Sequence, residues 1–327
     1  MKRREFITLM GGTAIAWPLA ARAQQLDPVR RVGVLSLATT ITIPVLAFRK
    51  ALAKLGWVEG HNLRMDLRFT GGDSDRIHAY AAELVSLAPD VIVTDGVVAT
   101  RELQHQTSTI PIVVTGIGDP GTNRLVKDIA HPEGNTTGVT NAFASIGGKW
   151  LELLKQASPG LERVGLIYNP QLVIRDTGGF VPSIEEAARS FAVKVIKLPY
   201  RDAVDIVQQI DAFAADSNGG LIVMPPAPNA ANRQTLLRLA VQHRLPSMYT
   251  ERAFAAEGGL LSYASNLGDR WQRTASFVDR ILRGTKVSDL PVEFPTKFEL
   301  VVNLKTAKAL GLTLPESFLV GADEVIE

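Results

Sequence analysis

Side chains suited to binding rather than to packing recur in this sequence at one kind of place, just past the end of a short apolar run. Ser36 and Thr39 follow residues 31–35, and Thr94, Asp95 and Gly96 close the run 91–93. Thr115 ends 112–114, and the glycine-rich turn after it carries Asp119. Asn141, Asn169, Pro225, Tyr249, Glu251 and Tyr263 stand in the same relation to runs at 135–140, 163–168, 220–224, 247–249 and 260–263. Hydroxyls and amides there exchange hydrogen bonds with a polar ligand, and the N–H groups of a following helix start hold an anionic group, as after Thr39 and Gly96. Asp119 or Glu251 suits an amine or other cation, and the Tyr249 and Tyr263 rings suit stacking on a flat ligand. Singly, Ser and Thr serve equally well as helix caps and Tyr as a packing residue. Their repetition at one edge of the strands is what points to a ligand site.

The elements that must position these residues alternate strictly. Apolar runs of four to six residues read as buried parallel strands, each followed by an Ala- and Leu-rich helical stretch. The run 31–36 has an echo at 163–168, so the same βα unit starts twice. Strands are expected at 31–36, 63–69, 91–94, 112–115, 135–141, 163–168, 194–198, 220–224, 247–249, 260–263 and 298–303. Helices are expected around 45–52, 75–87, 149–157, 204–215, 233–242, 271–282 and 304–312, the helix at 149 preceded by Gly147 and Gly148. The alternating polarity of 63–69 suits an edge strand. The fold class is α/β: two Rossmann-like lobes with mainly parallel sheets. The expected boundaries are 24–142 for the first lobe, with part of the C-terminal segment crossing back, 143–285 for the second, and 286–327 for a crossover and tail.

Composition narrows the function. The chain has 327 residues, 46% hydrophobic and 21% charged, enough for two globular domains. Residues 1–23 have a basic start, an apolar middle and Ala21-Arg22-Ala23, the pattern of an export signal with cleavage before Gln24. Arg3-Arg4-Glu5-Phe6 is twin-arginine-like, and the general secretory route remains an alternative. The leader carries +3 of the formal +2, so the remainder is slightly acidic and offers no nucleic-acid footprint. Zero cysteines remove thiolate metal sites and cysteine nucleophiles. The five histidines lack metal-site spacing, so no metal is expected. Residues 116–121 match G-x-G-x-x-G, but they follow the fourth strand and contain Asp119 and Pro120, which repel a pyrophosphate and remove an N–H. No dinucleotide or other cofactor is expected. Hydrolase elbows and Walker loops are absent, and Asp95, Asp119 and Glu251 would serve acid–base chemistry only if they converged.

The tail carries the most specific signal. Pro295-Thr296-Lys297-Phe298-Glu299-Leu300-Val301-Val302-Asn303-Leu304-Lys305-Thr306-Ala307, with Ala322-Asp323-Glu324-Val325-Ile326, resembles the closing signature of a bacterial family of ABC-transporter substrate-binding proteins. Gly118-Asp119-Pro120, the stretch from Asn135 to Thr140, and Gly258-Gly259-Leu260-Leu261-Ser262-Tyr263 resemble it too, so the likeness spans essentially the whole chain. It implies the type I periplasmic-binding architecture, two lobes joined by three crossovers around a hinged central cleft, and some relatives bind tryptophan or tyrosine. Two positions depart from the relatives: Pro226 stands where many have Asp, and Glu251 where they have an apolar residue. The expected function is a periplasmic solute-binding component of an ABC import system, without catalytic residues. It would close on a small polar, amino-acid-like or aromatic ligand and deliver it to an inner-membrane permease as a monomer. Ser36, Thr39, Thr94, Thr115 and Asp119 would hold the ligand from the first lobe, and Asn169, Tyr249 and Tyr263 from the second. A ligand sensor serving a membrane receptor and a two-lobed periplasmic enzyme are the alternatives.

Overall fold

Near-continuous apolar runs make strands that can be covered on both faces, which is what a parallel sheet flanked by helices demands. In the computed structural model, which describes residues 29–118, 124–170, 179–225 and 230–327, two such sheets form. The first holds β1 (Arg30–Ser36), β2 (Leu63–Phe69), β3 (Val91–Asp95), β4 (Ile112–Thr115) and β5 (Thr136–Val139) in the order β2-β1-β3-β4-β5. All its pairings are parallel. The alternating strand β2 lies at the edge, where Asp66 accepts from Arg31 Nε at 2.6 Å. That bond holds the Asp66 carboxyl below the usual range.

Three helices follow these strands: α1 (Ile43–Lys54), α2 (Ser74–Ser86) and α3 (Val97–Gln106). Asp73 starts α2 by accepting from Arg76 N at 2.9 Å, the usual N-cap bond. Leu35, Ile92, Ile112 and Val114 pack against α2 and α3 on one face. Val32, Val34, Val91, Val93 and Val113 occupy the other face with Phe48 and Leu52 of α1.

The second sheet holds β6 (Arg163–Tyr168), β7 (Lys194–Pro199), β8 (Gly219–Val223), β9 (Ser247–Tyr249), β10 (Leu261–Ser265), β11 (Phe298–Asn303) and β12 (Glu324–Ile326). Its order is β12-β11-β10-β9-β8-β6-β7, with β10 and β11 antiparallel and the other pairs parallel. Around it lie α4 (Ile146–Ala157), α5 (Phe180–Ser190), α6 (Ala203–Ala214), α7 (Ala230–Gln242) and α8 (Arg252–Ala256). The tail adds α10 (Leu304–Ala309) and α11 (Glu316–Val320), beyond the long helix α9 (Leu267–Leu282). Gly147 and Gly148 lie inside α4 rather than ahead of it. A Cβ on Gly147 would stand 2.5 Å from Phe180 O, so glycine there lets α5 cross closely.

Helix α9 corrects the expected boundary at 285. It lies within the stretch assigned to the second lobe, yet Trp271, Ala275, Val278 and Leu282 complete the core of the first. The Trp271 and Phe48 rings meet at 5.6 Å, and Trp57 Nε1 donates to Asp279 at 2.8 Å. Among the described residues the chain passes three times between the sheets: after β5, at Asn266 between β10 and α9, and at 294–297. Before the third passage Glu293 bridges to Val139, adding to the edge of the first sheet. Phe143, Phe294 and Phe298 cluster at these passages, with centroids 5.2 and 6.2 Å from Phe143.

Candidate functional site

The site grows from the carboxyl ends of β1, β3 and β4. Side chains alternate along a strand, so Ser36, Asp95 and Thr115 share the face of Val34, Val93 and Val113, which α9 covers. The register sets Asp95 directly beside Thr115. Ser36 Oγ donates to one Asp95 oxygen at 3.1 Å and the Leu37 N–H to the other at 3.1 Å, so the carboxylate is fixed in place. Thr115 is 2% exposed, and its Oγ1 has no hydrogen-bond partner among the described residues. A buried hydroxyl left unpaired is uncommon and asks for an explanation.

Helix α9 brings the opposite charge. Asn266 caps it by accepting from Asp269 N at 2.6 Å, and Arg270 follows in its first turns. The Arg270 guanidinium reaches over Gly116, where a Cβ would stand 3.6 Å from Nη1. Its Nε is buried without a hydrogen-bond partner among the described residues. From the second lobe Glu251 follows β9. Although it occupies the N-cap position of α8, its side chain makes no capping bond.

These three groups share one electrostatic environment. Burial lowers the affinity of Arg270 for its proton, while Glu251 and then Asp95 act to retain it. Burial pushes the Asp95 carboxyl up against the pull of its two donors and of Arg270. It raises the Glu251 carboxyl too, with Arg233 and Arg270 opposing and Asp95 adding. Glu251 is nonetheless an exposed residue. Among the described residues, none forms a direct ion pair with Arg270. The arrangement therefore presents a guanidinium and two carboxylates, from both lobes, whose charges are not consumed by one another.

The other expected site residues divide. Asn141 sits beside Gly116, its Oδ1 accepting from Gly118 N at 2.7 Å, so it braces the glycine turn at the site's edge. Gly96 starts α3 with φ +79°, close against Leu37. Thr39 is exposed at the exit of β1, next to Gly71. Thr94 is 1% exposed with an unpaired hydroxyl, on the opposite sheet face from Asp95. Asn169 and Pro225 are half-buried at the ends of β6 and β8. Asp119, Pro226 and the leader 1–23 lie outside the described residues.

Of the two expected tyrosines, only Tyr249 is a correction. Tyr249 is 1% exposed in the second lobe's core, stacked on Phe254 at 4.6 Å, and burial pushes its hydroxyl up to about 12. Its ring points toward α8 rather than the cleft, because β9 has helices on that face. The Tyr263 ring stacks on Phe298 at 5.5 Å and is half-buried beside the aromatic cluster at the passages. Arg270 and Arg233 were not expected at all. The one local signal for Arg270 is its place near a helix start, where a cation opposes the helix dipole.

Among the described residues, no group of His, Cys, Asp or Glu could hold a metal ion, and no helix is long and apolar enough to cross a membrane. The family model described as ABC transporter substrate binding protein matches residues 41–326. A tyrosine-binding protein of Clostridioides difficile (strain R20291) is 25% identical over 267 residues, 81% of this chain and 75% of that protein. The structure of an ABC domain in complex with L-Trp from Streptococcus pneumonia superposes with a TM-score of 0.81 at 24% identity, covering 91% of this chain and 99% of that one. A ligand-free, open substrate-binding protein with adhesive properties from Clostridium difficile gives 0.69 at 24% identity, with coverage of 91% and 99%.

Proposed function

The chain belongs to the ABC transporter substrate-binding protein family, and from that premise we propose that it captures an amino-acid-like solute between its lobes and delivers it to a membrane permease. The observation that carries this reading is the pairing of Asp95, oriented at the end of β3 by Ser36 and Leu37, with the Arg270 guanidinium that α9 lays over Gly116 next to Thr115. Arg270 receives the solute's carboxylate through its planar donor fork. Asp95, already oriented by Ser36 and Leu37, receives the ammonium. The Thr115 hydroxyl supplies a further polar contact. Ile41, Val98 and Leu267, all exposed beside helix starts, offer apolar surface to the rest of the molecule. The tyrosine-binding relative supports the amino-acid class.

Closure follows from differential affinity: contacts to both lobes exist together only when the lobes approach, so the solute shifts the protein toward the closed state. Export to the periplasm and docking on an ABC permease complete the proposed role, and the protein needs no chemistry of its own for it.

A thermal-shift and calorimetric screen of the mature protein tests the reading. L-Amino acids should stabilise it, by about 2.7 kcal/mol at a hundred times Kd. The corresponding amines without a carboxylate, and acids without an amine, should not. Stabilisation by a sugar or purine alone, or an unchanged affinity for the best amino acid in Arg270→Ala, would overturn it.

A further inference from the structure

We infer that Asn266 is the positioning residue that couples the lobes to the ligand site: its side-chain amide fixes the start of the helix that carries Arg270 and ties that start to the second lobe. The consequence for capture rests on the amino-acid reading above and names the residue through which lobe angle reaches Arg270. Asn266 follows the last residue of β10 and precedes α9, so it stands where the chain leaves the second sheet for the core of the first lobe. Its main-chain oxygen accepts from Arg270 N at 3.1 Å, and its own N–H donates to Lys297 O at 3.0 Å on the third passage. The ladder between β10 and β11 ends one pair earlier, at Ser265 and Phe298.

The side chain serves both lobes. Its Oδ1 accepts from Asp269 N at 2.6 Å, which caps α9. Its Nδ2 donates to a Glu299 carboxylate oxygen on β11. Aspartate would cap the helix as well as asparagine does, but it has no donor to offer Glu299. The cap alone therefore does not account for an amide here. On the first-lobe side the same helix start is braced. Arg273 Nε bonds Asp269 at 2.8 Å, while its Nη1 and Nη2 bond Glu293 at 2.9 Å and Thr296 at 2.8 Å. Among the described residues, the side-chain bond that reaches from this braced start to the second sheet is the one from Asn266 to Glu299. A rotation of the lobes that opens this bond loosens the first turn of α9 and Arg270 with it. A solute held at Arg270 selects the lobe angle at which the bond is made, because the guanidinium is already placed there.

The test exchanges donor and acceptor across this one bond. Asn266→Asp keeps the cap and sets two carboxylates against each other in place of the bond. Glu299→Gln alone keeps an acceptor for the Asn266 amide. The double variant restores a bond of opposite sense, with the amide on β11 donating to the carboxylate that caps α9. The sequence has no cysteine, so dyes attached through Lys50→Cys in α1 and Arg189→Cys in α5, both exposed, report the distance between the lobes. In Asn266→Asp the ligand-free distance distribution should broaden and L-tyrosine should bind about tenfold more weakly, the scale of one hydrogen bond to a charged group. Its melting curve should stay near wild type, since the cap is kept. Glu299→Gln should bind L-tyrosine within about twofold of wild type, and the double variant should recover both the distances and the affinity. A distance distribution in Asn266→Asp that matches wild type would overturn the inference. So would a loss that the double variant leaves in place, since Asn266 would then act only within its own helix. The ligand-free distances need no solute, so they decide the inference by themselves where no L-amino acid binds and the reading above falls.

Discussion

Replacing Arg270 by Met separates a binding role from a structural one. Methionine has a similar unbranched reach without the charge, and the site tolerates it because among the described residues Arg270 makes no direct ion pair and its Nε is unpaired. A buried charge in a good ion pair costs about 3–5 kcal/mol to disrupt, because its partner is left uncompensated. Here the partners are more distant, and removing a desolvated guanidinium relieves a penalty of its own. The two effects oppose, so the unliganded variant should unfold in urea within about 1 kcal/mol of wild type. Binding should respond very differently. Truncating one partner of a buried charge-assisted contact costs about 2–5 kcal/mol, so affinity for L-arginine or L-tyrosine should fall by roughly thirtyfold or more. Calorimetry and urea unfolding on the same preparation read both quantities. A variant destabilised by about 3 kcal/mol or more with unchanged affinity would show that Arg270 holds the fold and not the ligand.

Trp271→Ala should destabilise the first lobe by about 3–5 kcal/mol, since its ring is 4% exposed against Phe48; an unchanged urea midpoint would remove α9 from that core. Tyr249→Phe should leave amino-acid affinity within about twofold, and a tenfold loss, worth about 1.4 kcal/mol, would return Tyr249 to the site. The raised carboxyls of Asp95 and Glu251 hold protons above the ordinary carboxylate range, against Arg233 of α7 and Arg270 of α9. Affinity for an L-amino acid whose ammonium Asp95 receives should therefore weaken as pH falls while still above that range; a flat profile between pH 8 and 5 contradicts this. In the ligand-free protein the same two groups bind protons more tightly folded than unfolded. Their contribution to stability is thus present at low pH and lost as pH rises through the window between the ordinary and raised values.

What the sequence determines by itself is local. Apolar runs and their helical partners place the sheet elements, because a strand's burial on both faces is written in its own residues. The polar alternation of β2 marks an edge for the same reason. Strand exits then locate Ser36, Asp95 and Thr115, since a parallel sheet sends every exit to one edge. The doubled βα unit and the tail likewise suffice for the two-lobed class.

Tertiary structure decides which surface each element meets. The apolar stripe of α9 is equally consistent with either sheet, and contact with Phe48 of α1 settles it in the first lobe. That choice also delivers Arg270 to the cleft from a helix, where a reading of strand exits does not look. Tyr249 shows the converse: three residues of β9 do not reveal which face has helices over it, and packing turns the ring into the core. Glu251 was visible as an unusual residue at its position. That its carboxyl responds to Arg233, Arg270 and Asp95 is decided by chain crossing, since local periodicity carries no information on which distant charges are brought near one another.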